Sequence, residues 1–291
     1  MHTHLTAYVG LQARAVIERV NLPFIWTIHG LYRSRGELEG TGWTDALYLI
    51  KQAEKAVITA VSQDALIDVF KGIEISAHKM RVILNGIDLS QFETNSKRER
   101  NWRTEWGIPN DAVVFGAAGR LIPIKRFDIL LEASAQVISN HSNVYVVIAG
   151  EGPLRQALEE QIKKLGLQSH VHLVGYQSDM VQFWNEVDVA VVSSDSESFP
   201  MVVLEACAAG APVIATRVGG IPEMLTDDAG ILVEPGSPNS LAQVMMRMLD
   251  PSVRAEYGRR ARENAERFSM DKIAAQYDSL YRELLEIPSQ G

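Results

Sequence analysis

The chain has 291 residues, 46% of them hydrophobic and 22% charged, with 28 Lys and Arg against 36 Asp and Glu and a net charge of -8. That is ordinary composition for folded domains, and a prior of about 150 residues per domain predicts two of them. The acidic balance excludes wholesale neutralisation of a nucleic-acid backbone, and a single cysteine, Cys207, excludes an internal disulfide framework.

At the start, Met1-His2-Thr3-His4 has neither the basic flank nor the apolar stretch of a signal peptide, and terminal disorder is left open for His2 and His4. Short β-branched runs then alternate with amphipathic segments, the pattern of a parallel sheet with crossover helices. The first part reads as helices at 6–19, 44–55 and 63–70, the last capped by Ser62, with strands at 23–28, 56–60 and 81–84. A polar segment at 90–110 carries Lys97, Arg98, Arg100 and Arg103, and reads as a solvated helix face. In the second part, strands fall at 113–118, 144–149, 171–174, 187–192, 212–215 and 230–233, enough for a complete doubly wound domain. The first part has about half of such a sheet. Cys207 sits among alanines and reads as a packed helix residue. A closing helix at 270–285 places Ile273, Tyr277, Leu280, Tyr281 and Leu284 on one stripe, and 288–291 are expected to fray. No apolar run approaches the roughly 20 residues that span a bilayer. A cytoplasmic protein is expected, with peripheral attachment at the inner membrane face left open.

The most informative loop follows the strand at 187–192: Ser193-Ser194-Asp195-Ser196-Glu197-Ser198-Phe199-Pro200, then a helix from Met201. Ligands of doubly wound sheets bind at strand carboxyl ends facing helix N-termini, where backbone amides near Met201 and Val202 suit a phosphate. Glu197 in the loop and Glu205 one turn into the helix suit sugar and ribose hydroxyls, although a surface glutamate and a dipole-favoured helix-start glutamate is the plainer reading. A second strand-end loop, Gly119-Arg120-Leu121-Ile122-Pro123-Ile124-Lys125-Arg126, offers Arg120 as a planar fork and Lys125 as a point charge for one diphosphate. Glycine turns recur at Gly150-Glu151-Gly152, Gly175-Tyr176 and Gly219-Gly220, none in the Gly-x-Gly-x-x-Gly spacing of a nicotinamide enzyme.

Glu197 and Glu205 enclose seven residues. With Gly119-Arg120…Lys125 and the run Ala209-Gly210-Ala211-Pro212…Gly219-Gly220-Ile221-Pro222-Glu223, the chain resembles family 4 of the retaining GT-B glycosyltransferases. Thr27-Ile28-His29-Gly30 resembles that family's strand-end histidine loop, Leu84-Asn85-Gly86-Ile87-Asp88 its asparagine-glycine turn, and His2 and His4 its strand-end histidine pair. The resemblance implies an α/β fold of two Rossmann-like doubly wound domains facing across a cleft. The expected boundaries are an acceptor-side domain at 1–92, a nucleotide-sugar domain at 93–268, and a terminal helix at 269–291 crossing back to the first. It further implies Arg120 and Lys125 on the donor diphosphate, Glu205 on ribose, and Glu197 on the transferred sugar. Gly119 and backbone groups at Phe199, Pro200, Met201 and Val202 would lie beside them, with Gly175 and Tyr176 near the base and His29 reaching the sugar from the other domain.

The reaction so implied moves a sugar from a nucleotide sugar to an acceptor hydroxyl with retention, a step used in polysaccharide biosynthesis; the acceptor is carbohydrate or lipid-linked. No residues have metal-ligand spacing, so neither metal nor other cofactor is expected. Family members begin before the position of Met1, so the first domain reads as incomplete, with its sheet edge covered by a partner chain as one outcome. The alternatives are a non-catalytic nucleotide-sugar-binding module and a nucleotide-sugar epimerase.

Overall fold

The computed structural model describes residues 1–4, 16–17, 22–30, 43–70, 74–93 and 101–286. The expected helix at 6–19 falls largely outside them, as do Lys97, Arg98, Arg100 and 288–291. The chain divides into two compact units. The first comprises Met1–Gly86 and Met270–Gly291 together with the short segment Glu197–Phe199; the second comprises Ile87–Ser196 and Pro200–Ser269.

The first unit is built on a four-stranded parallel sheet in the order β1-β2-β3-β4: His2–Thr3, Phe24–Ile28, Ala56–Ala60 and Met80–Val82. Its two central strands are buried along their whole length, as parallel strands covered on both faces must be. Period-2 alternation sorts their side chains. Phe24, Trp26, Ile28 and Ile58 face one core with Leu47 and Ile50 of the helix Trp43–Gln52 and with Leu66 and Val69 of the helix Gln63–Phe70. Ile25 and Val57 face the other way, packing with Ile273, Leu280 and Leu284 of the helix Met270–Glu286. Each such leucine contributes roughly 1.5–3 kcal/mol of apolar burial. Ser62 caps the Gln63–Phe70 helix, its Oγ accepting from the Ala65 amide at 3.1 Å.

At the chain start the strand-end resemblance holds and terminal disorder does not. His2 and Thr3 are not frayed: they form β1, in register with Ile25 and Trp26 of β2. A two-residue strand has no periodicity to betray it, and its order comes from pairing across 22 residues of sequence.

The second unit carries a six-stranded parallel sheet in the order β10-β9-β8-β5-β6-β7. Its strands are Val113–Ala118 (β5), Val144–Ala149 (β6), Val171–Gly175 (β7), Val189–Val192 (β8), Val213–Thr216 (β9) and Ile231–Val233 (β10). Renumbered within the unit this is the 3-2-1-4-5-6 order of a dinucleotide-type doubly wound sheet, with its topological switch point between β5 and β8. Helices Phe127–Ile138 and Pro238–Arg247 bury Leu130, Leu131, Leu241 and Met245 against one face. Cys207 is fully buried in the helix Met201–Ala209, and burial pushes its thiol up to about 12, as an inert core cysteine should behave.

Arg103 departs from the solvated reading. Its guanidinium pairs with Asp188 at 3.0 Å and lies 3.7 Å from Glu186, while donating to the Glu186 and Ala112 carbonyls. The acidic partners lie more than eighty residues away along the chain, beyond any local charge pattern. Among the described residues no helix is long and apolar enough to cross a membrane.

Candidate functional site

At the switch point of the second unit, two loops leave adjacent strands and meet. The loop after β5 runs through Gly119 and Arg120 into a 3-10 turn, Pro123–Lys125, and then the helix Phe127–Ile138. The loop after β8 runs from Ser193 to Pro200 and enters the helix Met201–Ala209. Two hydrogen bonds sew them together: the Asp195 amide donates to the Ile124 carbonyl at 2.8 Å, and Ser193 Oγ to the Lys125 carbonyl at 2.9 Å. A third ties in β9, where Thr216 Oγ1 donates to the Ser194 carbonyl at 2.6 Å.

The neighbouring turns are stacked backbone on backbone. The Gly119 amide donates to the Ala149 carbonyl at 2.9 Å, the Leu121 amide to the Glu151 carbonyl at 2.9 Å, and the Gly150 amide to the Gly175 carbonyl at 2.7 Å. At Gly150, with φ at 142°, an added Cβ would lie 1.9 Å from the Gly119 carbonyl oxygen, so only glycine fits. The strand-end turns of β5, β6 and β7 therefore form one continuous seam along the carboxyl edge of the sheet.

Arg120 is exposed beside this seam, and Lys125 is half-buried. The aliphatic stem of Lys125 lies over Gly119, its Cε 3.4 Å from where a glycine Cβ would stand. Met201 and Val202 occupy the first helical turn, whose amides have no intrahelical acceptor, and the preceding Pro200 supplies no side-chain cap. Phe199 and Pro200 are buried, Glu197 is 7% exposed, and Ser198 Oγ is buried without a hydrogen-bond partner. Gly175 adopts the left-handed φ of 74°, and Tyr176 beside it is 76% exposed.

Glu205 sits in the second turn of the Met201–Ala209 helix. Burial raises its carboxyl above the usual range, and a hydrogen bond from Trp184 Nε1 at 3.1 Å opposes that shift. Trp184, fully buried in the helix Met180–Glu186, thus holds one carboxylate oxygen and leaves the other free of that bond. No local pattern marks this partner, which lies 21 residues upstream. Nor does any local pattern mark the role of Arg126. Its backbone is left-handed (φ 48°, ψ 42°), which costs an L-residue roughly 1–2 kcal/mol, and its guanidinium is shared between Asp128 and Asp195.

In the first unit, His29 stands exposed at the carboxyl end of β2, its Nε2 2.7 Å from His4 Nδ1. His2 bridges Tyr281 OH (2.8 Å) and Thr27 Oγ1 (2.6 Å), and Thr27 bonds Thr59 at 2.5 Å. Burial, then the neighbouring His4, lowers His2 to about 4 and moves His29 in the same direction. Among the described residues, no group of three or more His, Cys, Asp or Glu is arranged to hold a metal ion.

Comparison with known proteins gives these features a context. The family pattern of the Glycosyl transferases group 1 matches residues 98–268, and that of Glycosyltransferase Family 4 matches residues 1–91. The D-inositol 3-phosphate glycosyltransferase of Saccharomonospora viridis is 31% identical over 98% of this chain, which spans 70% of that protein. An uncharacterised glycosyltransferase of Methanocaldococcus jannaschii is 28% identical over 98% of this chain and 75% of its own length. Among solved structures, Anabaena Alr3699/HepE in complex with UDP superposes with a TM-score of 0.84 at 26% identity, covering 94% of this chain and 76% of that one. The same protein with UDP-glucose gives a TM-score of 0.82 at 25% identity over 94% and 76%. The two parallel α/β sheets are those of the GT-B fold, and the chain belongs to the group 1 glycosyl transferases, of the family 4 type.

Proposed function

We propose that the chain transfers a sugar from a nucleotide sugar to an acceptor hydroxyl with retention of configuration, using no metal ion. The observation that carries this reading is the meeting, at the switch point of the second sheet, of a cation-bearing loop and a loop leading into an uncapped helix N-terminus. Arg120 and Lys125 take the donor diphosphate, and the amides at Met201 and Val202 add fixed partial positive charge. Glu205 takes the ribose hydroxyls, Glu197 the transferred sugar with Phe199 and Pro200 beside it, and Gly175 and Tyr176 the base. The UDP and UDP-glucose held by the Anabaena structures are donor chemistry of this kind.

The costly event is cleavage of a sugar–phosphate bond while the departing diphosphate gathers charge. Fixed cations aimed at that group stabilise the transition state more than the ground state, and this differential is what accelerates the step. Positive side chains fill the electrostatic role that a divalent ion would otherwise have. Attack on the face that the diphosphate leaves retains configuration, and the departing phosphate accepts the acceptor's proton, so no protein nucleophile is needed.

The test is a thermal-shift panel of nucleoside diphosphates and their sugars. A ligand at 100 times its Kd stabilises by about 2.7 kcal/mol, and Arg120→Ala should erase the shift. An unchanged shift in that variant removes the site. Anomeric analysis of the product, with and without a chelator, tests retention and metal independence.

A further inference from the structure

We propose that Arg126 is a positioning residue: its ion pairs with Asp195 and Asp128 hold the Arg120–Lys125 loop in register with the loop entering the Met201–Ala209 helix. The proposal rests on the donor site above and extends it to a residue that need not touch the donor.

Three independent features converge on this arginine. Its φ of 48° belongs to the region that favours glycine, yet a long charged side chain stands there. That side chain is divided between two elements. Nε and Nη2 reach Asp128 at 3.1 and 3.0 Å, on the helix that follows, while Nη1 reaches both Asp195 oxygens at 3.1 and 2.8 Å. The third feature is location. The guanidinium strap lies beside the Asp195–Ile124 and Ser193–Lys125 hydrogen bonds, so Lys125 is fastened through its own carbonyl and through the next residue. A left-handed residue fixed at that point sets the direction in which the chain leaves Lys125. Displacing a binding group by about 1 Å can cost on the order of a hundredfold in rate, so a strap at this joint has leverage on the diphosphate cations.

The experiment compares R126G, R126K, D195N and the R126G/D195N double variant with R120A and the parent protein. Readouts are thermal stability and affinity for the tightest-binding member of a UDP, GDP, ADP and dTDP panel. Glycine accepts the left-handed backbone, so R126G should keep the parental melting temperature while weakening diphosphate binding about tenfold. R126K keeps the charge but lacks the fork that grips two carboxylates, and should not restore affinity. D195N retains its amide bond to Ile124 and should weaken binding in the same direction; the double variant should be no worse than R126G. Binding within twofold of the parent in R126G overturns the proposal, as does rescue by lysine or losses that multiply in the double variant. If R126G does not fold, D195N alone decides, its parental affinity refuting the strap. Loss of binding in R120A with parental binding in R126G sinks the strap and leaves the donor site standing. Parental binding in R120A, or none to any diphosphate in the parent, sinks both.

Discussion

The strand-end loops of the second unit and the histidine cluster of the first are organised by different forces. In the loops, backbone amides and carbonyls close the seams and the side-chain straps are ion pairs such as Arg126–Asp195 at 2.8 Å, whose guanidinium is held further charged by Asp128 and Asp195. In the cluster, His2 is joined to Thr27 and Tyr281, and His4 to His29, by side-chain hydrogen bonds, the last of which needs an unprotonated nitrogen on one ring. The contrast is one of conditionality. A pocket for a permanently charged group can be set by the backbone and kept across a wide pH range, whereas the histidine cluster, in which burial lowers His2 to about 4, is weakened as acid protonates that ring.

Four measurements would break or sharpen that contrast. The largest effect should come from Lys125→Ala, which removes charge from the seam without opening it: about 2–4 kcal/mol of barrier to transfer, read from kcat/KM, with parental melting temperature. Next, Gly150→Ala forces a methyl group against the Gly119 carbonyl oxygen and should cost about 3 kcal/mol by urea unfolding; parental stability would mean the turns yield independently. Trp184→Phe should cost about 1.5 kcal/mol of donor affinity. Because the lost hydrogen bond favours the Glu205 carboxylate, the acid limb of the affinity–pH profile should also move to higher pH. A packing defect alone would not move that limb.

The smallest effect belongs to the first unit. His2 lies at about 4 in the folded chain and at its ordinary 6.5 when unfolded, so the unfolded state binds more protons between those values. Stability should be fully present above about pH 6.5 and fall as pH drops towards 4. After discounting for a half-exposed ring, the loss is about 1 kcal/mol. His2→Asn should flatten that part of a melting-temperature profile, and a profile unaltered by the substitution would contradict the assigned network.

Most of the scaffold could be read in advance because its signal is local. The β-branched runs at Val113–Ala118 and Val144–Ala149 mark buried parallel strands, and glycines punctuate their ends. The cation and acid loops were legible for the same reason: each is a short polar interruption between a strand and a helix. What escaped reading depends on partners distant in sequence. Arg126 meets Asp195 across 69 positions, Arg103 meets Asp188 across 85, and Glu205 meets Trp184 across 21. A polar residue advertises its type, but only the fold supplies its partner.

The continuous seam from Gly119 through Gly150 to Gly175 also constrains how such a molecule can diversify. Inserting or deleting a residue in any of the three turns would pull apart main chain that nothing else can rejoin. Variation along this edge must therefore fall to outward-facing side chains such as the exposed Tyr176, while the underlying masonry of the sheet edge stays untouched.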